Sequence, residues 1–152
     1  MAFLGTIGTA DAVRAVLGLE SDELTDATIL SRATRVDNAT KQNIPGYQTI
    51  IDAELTDPDS YAALVDYVVY TAALYLVPTL PIVLEQTVKD DSGAEGRRFN
   101  LNEKALDNLA NEISGYLADL QAELNPDTPA IQVPVLMGRS VPSYDPVTGD
   151  EQ

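Results

Sequence analysis

The spacing of apolar residues predicts a chain built mainly of α-helices. The clearest pattern comes late. Leu106, Leu109, Ile113, Leu117, Leu120 and Leu124 recur at three- and four-residue steps, so one face of a helix over about residues 103–124 is apolar. Asn125-Pro126 ends that helix, because proline cannot donate the next backbone bond. Upstream, "DPDSYAALVDYVVYTAALYLVP" offers Asp57 as an N-cap and Pro58 at the first helical position. Only Asp59 and Asp66 interrupt the apolar surface that follows. A helix apolar on all sides belongs at the centre of a bundle.

Capping residues set the earlier elements. A short helix is predicted from about Ala10 to Leu17, with Thr9 as N-cap, Gly18 as a left-handed C-cap and Leu19 folding back. In "SDELTDATILSRATRVDNATKQN", Thr25 can cap a second helix, with Leu24 and Ile29 at the two positions of a hydrophobic staple. Ile29, Ala33 and Val36 give it a narrow apolar stripe, and it is predicted to run unbroken to near Asn43, before the "IPG" turn. Residues 44–57 read as a connecting loop with a turn of structure around Gln48 to Asp52.

After Pro81 the period changes, and "PIVLEQTVKDDSGAEGRRFNLN" predicts two short strands, about 82–89 and 97–101, forming a hairpin. The expected fold is therefore mainly α: a four-helix bundle over residues 1–125, a short β-hairpin between its last two helices, and an extended arm over 126–152. Five prolines lie in the stretch from Asn125 to Gln152 and prevent an independent core. Yet Ile131, Val133, Val135, Leu136, Met137 and Val141 are too apolar for an ordinary solvated tail. Ile131, Val133 and Val135 alternate as one face of an added strand does. These six, with Arg139 and Tyr144, are the candidate partner-binding residues.

Composition narrows the chemistry. The chain has neither histidine nor cysteine, which excludes serine–histidine and cysteine–histidine nucleophiles and thiolate metal sites. A net charge of −15 argues against a surface that grips nucleic-acid phosphates. The eighteen uncharged residues of "YVVYTAALYLVPTLPIVL" raise a membrane span, but Pro78, Pro81 and acidic flanks favour a buried helix. The opening "MAFLGTIGTADAV" predicts no secretion signal. The loop "DDSGAEG" carries three acids and leads into a strand, so it reads as a hairpin tip rather than a phosphate cradle. No acidic stretch has the calcium-loop pattern. Asn38-Ala39-Thr40 matches a glycosylation acceptor, but inside a predicted helix. No catalytic residue, metal or cofactor is predicted, and the chain reads as a non-enzyme.

Tyrosine is used seven times and tryptophan never. Tyr61, Tyr67, Tyr70 and Tyr75 share the central helix, which fits either internal packing or contact between subunits. The candidate subunit-packing residues are Tyr67 and Tyr70, with Arg32 and Arg35 from the preceding helix.

At "VRAVLGLESDELTDATILSRA", residues 13–33, a short helix, a glycine, an acidic "SDEL" turn and a capped second helix follow one another. An apolar helix ending in "LYLVPTLP", a polar hairpin and a long last helix complete the order. Over about residues 10–124 this resembles the head–tail connector proteins of tailed bacteriophages, also called adaptor or head-completion proteins. The resemblance implies a small helical bundle, assembled as a ring of usually twelve copies in the neck of the virion. Its partners would be the portal protein above and a tail or second neck protein below, with DNA passing through the lumen. The arm would then meet the portal or a neighbouring subunit, across a reach of at most ~90 Å when extended. A carboxylate-lined lumen would repel DNA and let it slide. The alternative is a cytoplasmic acidic protein–protein binding module whose arm is a recognition peptide. A small hydrolase is disfavoured by the missing histidine and cysteine.

Overall fold

Side-chain oxygens open three of the helices where the sequence placed them. In the computed structural model, which describes residues 2–82 and 103–126, Thr9 accepts a hydrogen bond from the Ala12 N–H at 3.2 Å and starts α1 (Ala10–Leu17). Gly18 closes α1 in the left-handed region at φ 68°, and the Leu19 N–H returns to the Arg14 carbonyl at 3.0 Å. Thr25 starts α2 (Asp26–Leu30), and the flanking Leu24 and Ile29 are both fully buried, as a staple requires.

The second predicted helix is broken in two. Ser31 turns its hydroxyl back to the Thr28 carbonyl at 2.6 Å, and the Arg32 N–H takes the Ile29 carbonyl, a tighter three-residue step. This local bonding competes with the α-helical ladder and separates α2 from α3 (Ala33–Asn43). Beyond a turn at Ile44, α4 (Tyr47–Asp52) forms within the predicted loop, where a turn of structure was expected around Gln48 to Asp52.

The Asp57 carboxylate then accepts the Ser60 N–H at 3.2 Å, and Pro58 begins α5 (Pro58–Leu76). Pro78 lacks a donor, and the chain tightens into a 3₁₀ turn, Val77–Thr79, before residues 80–82 turn helical again. The last described helix, α6 (Glu103–Leu124), has the predicted bounds.

Helix α5 is the hub, with α1, α3, α4 and α6 all packed on it. Its upper part joins Val13, Leu24, Ile29, Val36 and Ile113 in one apolar cluster, while Leu64 and Tyr67 join Ile44, Leu120 and Leu124 in another. Each fully buried leucine or valine here contributes roughly 1.5–3 kcal/mol. The stretch Pro58–Ile82 is 25 residues long and apolar enough to cross a membrane, but 61% of its most apolar window is buried inside the fold. That is the burial pattern of a core helix.

The N-terminal stretch adds a feature that periodicity did not reveal. A tight turn between Leu4 and Gly8, with Gly5 at φ 97°, buries Phe3, Leu4 and Ile7 in the larger cluster. The Phe3 N–H donates to Asp37 at 2.8 Å, and its ring meets Tyr47 edge-on at 5.2 Å. Gly8 crosses α5 so closely that a Cβ there would lie 2.9 Å from Val68 Cγ1.

The fold is mainly α, and the described residues contain no strand. Ile82, where the first strand was expected to begin, is helical. The rest of the predicted hairpin lies outside the described residues. So does the arm from residue 127, with Ile131, Val133, Val135, Leu136, Met137, Arg139, Val141 and Tyr144.

Candidate functional site

Helices α3 and α6 run antiparallel to α5 and flank it. Asn43 at the end of α3 donates its side-chain amide to the Tyr67 hydroxyl at 3.0 Å, while Arg35 near its start stacks 4.1 Å over the Tyr75 ring. Leu120 and Leu124 near the end of α6 pack with Leu64 and Tyr67 near the start of α5. Between α3 and α6 a groove of 230 Å³ is left open over the hub.

The floor of the groove is one stripe of α5: Tyr67, Thr71, Leu74 and Tyr75. Its walls are Ala39 and Asn43 from α3, and Ser114, Leu117, Ala118 and Gln121 from α6. The small side chains at 39, 114 and 118 leave the space between the walls unfilled. No lining residue is charged. Thr71 is 4% exposed, and its hydroxyl has no hydrogen-bond partner among the described residues. Thr40, equally buried on α3, instead donates to the Val36 carbonyl at 2.9 Å. An orphaned buried hydroxyl is uncommon, and this oxygen is closed off from solvent. Chemically, the groove suits an uncharged, mainly aliphatic segment.

The structure spreads the expected subunit-packing residues over different surroundings. Tyr67 is 3% exposed, its ring in the lower cluster and its hydroxyl bonded by Asn43, so it packs its own fold. Tyr70 lies one face over, half-buried against Tyr116 with ring centroids 4.6 Å apart. Burial, with the charge of Asp66 next in order, raises the Tyr116 hydroxyl above its usual range. Arg35 is exposed apart from its stack on Tyr75, and the half-buried Arg32 has an Nε atom without a partner among the described residues. Sequence reasoning missed the groove because it is set by which small residues of α3 and α6 face each other.

Charge is unevenly distributed. Arg32, Arg35 and Lys41 lie on or beside α3, whereas α6 carries Glu103, Asp107, Glu112, Asp119 and Glu123 against Lys104 alone. Arg14 is the one basic side chain held inside the described fold, 8% exposed. Its guanidinium donates to Asp11 and to Asp26, each at 2.6 Å, and to the Leu24 carbonyl at 2.9 Å. Those bonds raise its pKa further and clamp α1 to the start of α2. Among the described residues no group of three acidic, histidine or cysteine side chains could hold a metal ion.

Compared with protein-family models, with curated proteins and with solved structures, the chain matches none.

Proposed function

We propose that the chain is a head–tail adaptor of a tailed bacteriophage, a structural protein that forms a ring beneath the portal, links capsid to tail and lets DNA pass through its lumen. The observation that carries this reading is the order of elements: capped α1, the Gly18 stop, the "SDEL" turn, capped α2, the apolar hub α5 ending in "LYLVPTLP", and the long α6. In its finer form the reading takes α1, α3, α5 and α6 as a four-helix bundle, with a hairpin between α5 and α6 and an arm from residue 126.

Charge supports a ring. The basic edge at α3 and the acidic edge at α6 are complementary, as a head-to-tail contact between identical subunits requires. Arg32 and Arg35 are the basic residues of that contact, and the exposed edges of Tyr70 and Tyr116, next to Asp66, belong to its acidic side. The net charge of −15 suits a lumen that DNA slides through. Virion neck, portal, and a tail or second neck protein follow as location and partners. The uncharged groove also fits the second reading, an acidic binding module that receives a peptide.

Co-sedimentation with assembled portal rings tests the adaptor reading. Association at near-physiological salt is the expected result. Its absence, with both proteins folded, would sink the proposal.

A further inference from the structure

The groove and the arm meet at one residue. Asn125, directly after α6, donates its side-chain amide to the Asn43 carbonyl at 2.8 Å and to the Gln121 carbonyl at 3.0 Å. Asn43 and Gln121 both line the groove. The chain therefore leaves α6 pinned between two lining residues, at one end of the groove.

We infer that in the free protein this groove holds the chain's own C-terminal arm, with Ile131, Val133 and Val135 facing the floor of α5. Length permits it. The wall of α6 from Gln121 back to Ser114 rises ~10 Å, which an extended strand covers in roughly three residues. Five residues, 126–130, separate α6's end from Ile131, and the five from 131 to 135 are enough to match the groove's length. Chemistry agrees. Pro129 to Met137 carries no charge in a chain of net charge −15, and the groove lining carries none either. Its 230 Å³ exceeds the ~150 Å³ cavity that admits a benzene ring, so aliphatic side chains fit.

Own-chain occupancy is favoured over a second copy because the arm is rooted at the groove. A short tether acts as a millimolar local concentration, above that of any free copy in dilute solution. The inference is independent of the adaptor reading, since a binding module with a recognition arm would have the same groove.

The chain contains neither tryptophan nor cysteine, so single reporters are unambiguous. In the full chain, Val133→Trp should give blue-shifted emission with several-fold slower acrylamide quenching than a free indole, unchanged on dilution. Adding Ala118→Arg, on the exposed wall of α6, should return the emission to that of a solvated indole. Because tryptophan is larger than valine, the smaller pair Ser114→Cys with Val135→Cys decides any disagreement. Under oxidised glutathione it should close a disulfide within the monomer, read by mass. Solvated emission together with no disulfide overturns the inference. A blue shift that survives Ala118→Arg also overturns it, because the arm then rests elsewhere. A shift that vanishes on dilution, or a disulfide found only in dimers, overturns it in favour of a second copy.

Discussion

The side-chain amide of Asn125 donates a hydrogen bond to the backbone carbonyl of Asn43 across 2.8 Å, joining positions 82 residues apart. The same amide holds the Gln121 carbonyl at 3.0 Å, so one side chain ends α6 and ties it to the end of α3. Asn125→Ala removes both bonds and leaves the Asn43 carbonyl to find another donor. A loss of about 1–2 kcal/mol is expected, seen as a lower urea midpoint at unchanged slope. An unchanged midpoint would mean that water replaces the amide without loss.

Arg14 is expected to resist even conservative replacement. Its planar fork reaches Asp11, Asp26 and the Leu24 carbonyl together, whereas a lysine ammonium is a single point of charge. Arg14→Lys should lower the melting temperature, and Arg14→Met should lower it more by leaving the Leu24 carbonyl unpaired. Scanning calorimetry of both variants checks the order. Equal melting of Arg14→Lys and the parent would show that the second and third bonds contribute nothing.

Gly8 sits where α5 leaves no room for a side chain. Because an added Cβ would approach Val68 Cγ1 to 2.9 Å and Val69 Cγ2 to 3.2 Å, Gly8→Ala should destabilise by roughly 1–3 kcal/mol through overpacking. Val68→Ala removes the nearer obstacle. In a double-mutant cycle the two substitutions should therefore destabilise less than their sum. Strict additivity would place the clash elsewhere.

Acid should weaken the start of α5. Hydrogen bonds from the Ser60 hydroxyl and then its backbone N–H hold the Asp57 carboxyl below its ordinary value, and burial opposes them only in part. A carboxyl depressed in the folded state favours folding above its unfolded pKa of ~3.9, and that contribution is lost as pH falls through the lower folded value. The stability difference between the parent and Asp57→Ala should accordingly be full near pH 7 and shrink below about pH 4. Chemical denaturation of both proteins across pH 2–7 reads it directly. A gap that persists at pH 2 would show that the neutral Asp57 side chain caps the helix as well as its carboxylate does.

Free protein should not retard duplex DNA in a gel at moderate salt. The described basic residues at Arg32, Arg35 and Lys41 stand on a chain of net charge −15, too acidic to release counterions from phosphates. Micromolar retardation would show that the α3 edge acts as a DNA site.

Much of the helical framework was legible because it is set by neighbours in sequence. Thr9, Thr25 and Asp57 cap the helices they precede, and Gly18 stops α1, through bonds spanning no more than five residues. The regular leucines of α6 gave its limits, and the uninterrupted apolar surface of α5 gave its place at the centre. Absence of histidine and cysteine likewise bounded the chemistry before any fold was known.

What tertiary structure alone decided depends on contacts between distant positions. Phe3 enters the core because Asp37, 34 residues away, takes its N–H. Tyr67 turns inward because Asn43, 24 residues away, bonds its hydroxyl, where its sequence context fitted a subunit contact equally well. The groove exists only because Ala39, Ser114 and Ala118 come to face one another across α5. Periodicity says which face of a helix is apolar. It does not say which small residue will stand opposite another, since that follows from how whole helices are placed.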